Sequence, residues 1–133
     1  MNNNDFIVYE DKRSRVMNGE EVFNKIKKID IDYSQENFIV FFLNVKNRII
    51  QEENLFKGGL SACLVCPNTI FKKALILDSD RIILAHNHPS KDLTASNEDI
   101  QVFESLKEMG NILDIKVLDS IIFNKGGYFS QIE

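Results

Sequence analysis

Apolar and polar residues come in blocks whose periods predict alternating strands and helices. Near the start, Asn18-Gly19-Glu20-Glu21 reads as a helix start, with Val22, Phe23 and Ile26 at helical spacing and Ile29 one step further. Phe38–Val45 is a β-rich apolar run, long enough for a strand buried on both faces. Lys46-Asn47 then supplies turn chemistry before Arg48-Ile49-Ile50, which together read as a hairpin. After Gly58-Gly59, Leu60–Cys66 reads as another strand. Pro67 ends it, at the first position of a helix through Phe71, Ala74 and Leu75, and Asp78-Ser79-Asp80 breaks that helix. Arg81–Ala85 is a short strand leading into His86-Asn87-His88-Pro89. A polar loop of about nine residues precedes a helix from Ser96 to Met109, with Gly110 placed as its C-terminal cap. Ile112–Phe123 reads as a strand, Asn124-Lys125-Gly126-Gly127 as a turn, and Tyr128–Ser130 as the returning strand.

Strands and helices interspersed in this way, with hairpins at both ends, predict an α/β (α+β mixed) fold built on a mixed, mostly antiparallel sheet flanked by helices. No repeat, low-complexity block or linker divides the sequence, so residues 1–133 are expected to form a single domain, with 1–30 as an extension and helix packing on it. The 133 residues are 44% hydrophobic and 27% charged, the profile of a folded domain and not of a disordered tail. No apolar run approaches the roughly 18 residues of a membrane span, and the polar start lacks a basic-then-apolar leader pattern. The expectation is a soluble, cytoplasmic protein without membrane contact.

A net charge of -4 argues against general phosphate-driven nucleic-acid binding. Residues 11–28 nevertheless gather six of the sixteen basic residues against three acids, a pattern that is ordinarily a solvated face. Two cysteines are too few for a disulfide scaffold. Cys63 and Cys66 have the spacing of half a zinc knuckle but no second cysteine pair, and in a strand pattern they read as buried core thiols.

The chemistry gathers around the only two histidines. In an extended segment, residues two apart face the same side, so His86 and His88 can present two imidazoles to one point if the strand continues through them. A zinc site needs three or four ligands. Asp99 lies three residues after Ser96, at the mouth of the predicted helix, where it also suits a capping-box start. A loop anchored by Pro89 can fold this carboxylate back onto the imidazoles. Two His and one Asp would suit Zn²⁺ with a fourth position open for water, which implies catalysis. Such a site also needs a base, and Glu36, Glu52, Glu53 and Glu98 all compete for that role.

His86-x-His88-Pro89 followed by Ser96-x-x-Asp99 resembles the metal signature of the JAMM (MPN) metallohydrolases. The RadC-like branch is the most similar: it matches in Ala85–Ser90, in Ser96-x-Glu98-Asp99-Ile100, in Gly110 followed by Ile115-x-Val117-Leu118-Asp119, and in Tyr128-x-Ser130. The resemblance runs from about Glu36 to Ser130. It implies a cytidine-deaminase-like JAMM architecture and a zinc-dependent hydrolase of the metallopeptidase or isopeptidase type, from a family carrying a DNA-repair label. His86, His88 and Asp99 would hold the metal. The family's Glu-x-Phe stretch falls on Glu36-Asn37-Phe38, which singles out Glu36 as the base, and Ser96 matches the serine assigned to oxyanion stabilisation.

The implied substrate is a peptide or isopeptide, with DNA as a partner by family analogy alone. The alternative reading is a DNA-associated or scaffold module that binds metal without catalysis. The family's N-terminal helix-hairpin-helix region is not expected in this chain. Departures are Asp119-Ser120 in place of Asp-His, Pro67-Asn68-Thr69 in place of Pro-Arg-Glu, and Lys91 with Leu93-Thr94-Ala95 where the family often has Gly and two prolines. None falls on the four metal and base positions. A zinc nucleotide deaminase would need His-x-Glu upstream of Pro-Cys-x-x-Cys, and the order here is reversed.

Overall fold

A computed structural model of the chain describes residues 10–57 and 66–132. The elements are α1 (Gly19–Ile26), β1 (Asn37–Leu43), β2 (Ile49–Lys57), α2 (Pro67–Ile76), β3 (Arg81–Asn87), α3 (Asn97–Leu113), β4 (Lys116–Asn124) and β5 (Gly127–Ser130). The strands form one mixed sheet in the order β2-β1-β3-β4-β5. Among the described strands only β3 and β4 run parallel, and α3 makes the crossover between them. The α/β expectation of a mostly antiparallel mixed sheet flanked by helices is borne out.

β1 is buried along its whole length because each sheet face carries helices. Val40 and Phe42 of β1 and Ile82 and Leu84 of β3 pack with Ile70, Phe71 and Ala74 of α2 and Phe103 and Leu106 of α3. Their alternate neighbours, Ile39, Phe41, Leu43, Ile83 and Ala85, pack on the other face with Val22, Phe23 and Ile26 of α1. This two-residue alternation decides where each residue at the end of β3 points.

Asn18 caps α1 by accepting from the Glu21 N–H, and Pro67 opens α2, both as the pattern predicts. The predicted strand over Leu60–Cys66 falls mostly outside the described residues, as does Cys63. Cys66 itself is exposed at the N-cap of α2, which corrects its assignment as a buried thiol: the helix start turns it away from the core.

The end of α3 is also corrected. The helix does not stop at Gly110 but runs to Leu113, where Asp114 turns left-handed at φ 57° and donates its N–H back to the Gly110 carbonyl. Ile112, predicted to open a strand, is therefore helical and 80% exposed. Gly110 has a different purpose. A Cβ placed there would lie 2.3 Å from the Ile115 carbonyl oxygen and 3.1 Å from Val117 Cγ2, so glycine lets the chain double back closely into β4. Among the described residues, no helix is long and apolar enough to cross a membrane.

Candidate metal centre

β3 continues through His86 to Asn87, so the histidines lie where the strand gives way to loop. His86 shares the face of Ile82 and Leu84, toward α3, and is 4% exposed. Its ring stacks on Phe38, directly opposite in β1, with centroids 6.0 Å apart. The His86 and His88 rings lie 5.2 Å apart.

Asp99 meets both from the first turn of α3. Its Oδ1 is 3.0 Å from His86 Nε2 and its Oδ2 is 2.9 Å from His88 Nε2. The capping box holds it there: Asp99 N–H donates to Ser96 Oγ at 3.0 Å, and Ser96 N–H donates to Asp99 Oδ2 at 2.8 Å. Burial alone would raise the Asp99 carboxyl, but the adjacent His86 imidazole and the bonds with Ser96 outweigh it. They hold the group well below the usual carboxylate range.

One ligand atom each from His86, His88 and Asp99 lies within 4.8 Å of the others. Although His86 Nε2 lies close to the carboxylate, neither of its ring nitrogens has a partner in hydrogen-bonding geometry. His88 Nδ1 is 2.9 Å from the Asp92 carbonyl. A carbonyl only accepts, so Nδ1 carries the proton and Nε2 of the neutral ring presents a lone pair toward Asp99. A lone pair aimed at a carboxylate is repelled unless a cation lies between them or the ring is protonated. The donor set therefore fits a divalent metal.

Glu36 immediately precedes β1. The antiparallel register pairs Phe38 with His86. Carried two residues further, that register sets Glu36 across from His88, which explains how residues 52 apart in sequence reach the same end of the sheet. Partial burial raises the Glu36 carboxyl above its ordinary value; the charges of His86 and His88 pull it down, and those of Asp99 and Glu98 push it up. Of the competing glutamates, Glu53 lies 3.1 Å from Lys73 and Glu52 is exposed on β2. Glu98 is exposed in the first turn of α3.

Sequence reasoning passed over the asparagines beneath the site. Asn87, between the histidines, faces the opposite side and is 1% exposed. Its Oδ1 accepts from the Asn37 N–H at 2.8 Å, and its Nδ2 donates to the Gln35 carbonyl at 3.0 Å. Asn54 Nδ2 in turn donates to Asn37 Oδ1 at 2.8 Å. This network clamps the residues on either side of Glu36. The available signal was two amides interrupting otherwise apolar strands.

Asp119 and Ser130 lie elsewhere. Asp119 pairs with Ile83, three positions down β3 from His86, and Ser130 Oγ donates to its carboxylate at 2.5 Å, tying β4 to β5. In the basic stretch, Arg13 pairs with Asp11, and Lys25 lies 2.5 Å from Ser14 Oγ.

The sequence matches the family model for the RadC-like JAB domain over residues 7–133. The chain belongs to the RadC-like JAB family. A UPF0758 protein from Staphylococcus haemolyticus is 46% identical over 102 residues, covering 77% of this chain and 45% of the relative. One from Enterococcus faecalis is 39% identical over 122 residues, covering 92% and 53% respectively. A third, from Caldanaerobacter subterraneus subsp. tengcongensis, is 45% identical over 111 residues, covering 84% and 48%. This RadC-like JAB chain thus spans about half the length of the curated relatives it matches.

Proposed function

We propose that this RadC-like JAB domain is a zinc-dependent hydrolase of amide bonds in peptide or isopeptide substrates. The observation that carries it is the convergence of His86, His88 and Asp99, with a buried His86 imidazole that finds no hydrogen-bond partner. His86, His88 and Asp99 would hold the Zn²⁺. When bound, the ion would acidify water and polarise a carbonyl oxygen.

Glu36, close enough for its charge to interact with both histidines, takes the proton from the attacking water and passes it to the departing nitrogen. The Ser96 hydroxyl oxygen accepts from Asp99 N–H, which leaves its own proton to donate to the developing oxyanion. His88 Nδ1 stays with the Asp92 carbonyl, which fixes the ring's orientation throughout. The choice of an amide bond rests on membership of the JAB superfamily; the residues themselves support activation of water. The family's DNA-repair label has less support here, because part of the basic stretch is engaged within the chain.

Metal analysis of purified protein, repeated on His88→Ala and Asp99→Ala, tests the ligand set. One zinc per chain in the parent and loss in both variants is expected. Stoichiometric zinc persisting in both would refute the assignment. Glu36→Gln should keep the zinc and lose hydrolysis by about 10²-fold or more.

A further inference from the structure

A cleft of about 690 Å³ opens beside the candidate metal centre. Three segments wall it: Tyr33 and Ser34, just upstream of Glu36; His88 and Lys91, at and beyond the end of β3; and Asn124 and Lys125, in the β4–β5 turn. His88 belongs both to this cleft and to the ligand cluster. Among the described residues no acidic side chain lines the cleft, whereas two lysines do. The Lys125 ammonium lies over the Tyr33 ring, 5.4 Å from its centroid, which holds one positive charge against the wall.

Lys91 supplies the second observation. Four non-glycine residues among those described have positive φ: Asn47, Asp78, Lys91 and Asp114. Three are Asn or Asp, whose short polar side chains tolerate the left-handed region; Lys91, at φ 68°, has no such accommodation. Its backbone is pinned there, the N–H donating to the His88 carbonyl at 2.8 Å and the carbonyl accepting from Asn124 Nδ2 at 2.9 Å. Glycine would take this conformation without strain. A lysine kept there at the mouth of a cleft fits a side chain retained for what it binds, since strained backbone clusters at functional positions.

We infer that the cleft receives a carboxylate of the substrate, so that the amides preferred by this site carry an acidic group close to the bond to be broken. The inference rests on the hydrolase reading and gives it a substrate class. Lys91 and Lys125 are exposed, so solvent screens their attraction and the preference is moderate, about 5- to 20-fold, and weaker in high salt. A nucleic-acid strand would offer anionic groups too. It would also bring many negative charges against a chain of net charge -4, which favours a singly charged peptide group.

The test titrates zinc-loaded protein with two peptides, acetyl-Ala-Gly-Glu-amide and acetyl-Ala-Gly-Gln-amide, which differ in one charge. At low salt the glutamate peptide should bind about tenfold tighter. In the double variant Lys91→Gly with Lys125→Gln the ratio should fall to within about twofold. The single variant Lys91→Gly should melt at or above the parent temperature, which separates lost binding from unfolding. Equal affinity for the two peptides, or a preference intact in the double variant, would overturn the inference. So would a short single-stranded DNA displacing both peptides with no preference between them. The same titration on Asp99→Ala keeps the two readings apart. A glutamate preference that survives there while the parent protein also binds no zinc would support the cleft and sink the metal reading. Stoichiometric zinc in the parent without the preference would sink the cleft alone.

Discussion

His86 is stacked on Phe38 and sealed from water, while neither ring nitrogen has a hydrogen-bond partner. A buried polar atom left unpaired costs about 1–3 kcal/mol, so such an imidazole is retained only where something else satisfies it. Glu36 carries a related strain in charge. Partial burial raises its carboxyl, and the neighbouring carboxylates of Asp99 and Glu98 add to this, while the two histidines oppose it.

The consequence for stability has a definite sign. A glutamate raised above its unfolded value contributes fully below that value, near pH 4.3, and loses the contribution as pH rises through the folded value. In chelator-treated protein, Glu36→Gln should therefore melt higher than the parent at neutral pH, with the gap closing as pH falls to 4. Parallel melting curves across that range would show that Glu36 is not perturbed. Asn87 is built the other way: its amide meets Asn37 and Gln35, so the residue between the two histidines holds the chain on which Glu36 sits.

α3 owes its shape to opposing local and tertiary demands. Ser96 and Asp99 begin it with a capping box in which the same aspartate reaches both histidines, so helix start and placement of the candidate ligand are one feature. Its far end contains Gly110, where helix propensity favours alanine by about 1 kcal/mol. The tertiary contact reverses that preference, because the Ile115 carbonyl occupies the space a Cβ would need. Gly110→Ala should thus destabilise by about 1–3 kcal/mol, measured by denaturant unfolding. A gain in stability would mean that propensity outweighs the close approach. The sequence suggested a cap at Gly110 because glycine is the usual stop signal; the real cap, Asp114, carries the weaker signal of an aspartate in the left-handed region.

For the whole molecule, the sheet order brings the candidate ligands, the proposed base and the cleft to one end. β1 and β3 run antiparallel side by side, so the start of one meets the end of the other; β3 and β4 run parallel, so the β4–β5 turn lies at that same end. A metal held there would bind the folded chain far better than the unfolded one. Zinc at about 1,000 times its dissociation constant would add roughly 4 kcal/mol, a rise in Tm of about 10 °C or more. Calorimetry with zinc and with chelator should show this difference in the parent and little of it in His88→Ala. An equal melting temperature in both conditions would count against a metal centre coupled to the fold.

The sequence by itself determined most of the elements and pointed to the candidate ligands. Hydrophobic period, caps and turn residues act within a few positions, and the spacing of His86 and His88 needs only that β3 be extended. Family resemblance singled out Glu36, which spacing alone left among four carboxylates. Only the tertiary structure decided that Glu36 lies at the histidine end, that Asn87 clamps its backbone, and that Lys91 and Lys125 share a cleft with His88. These relations join residues tens of positions apart through strand register and a helical crossover. Packing on both faces of the sheet sets that register, and no local pattern encodes it.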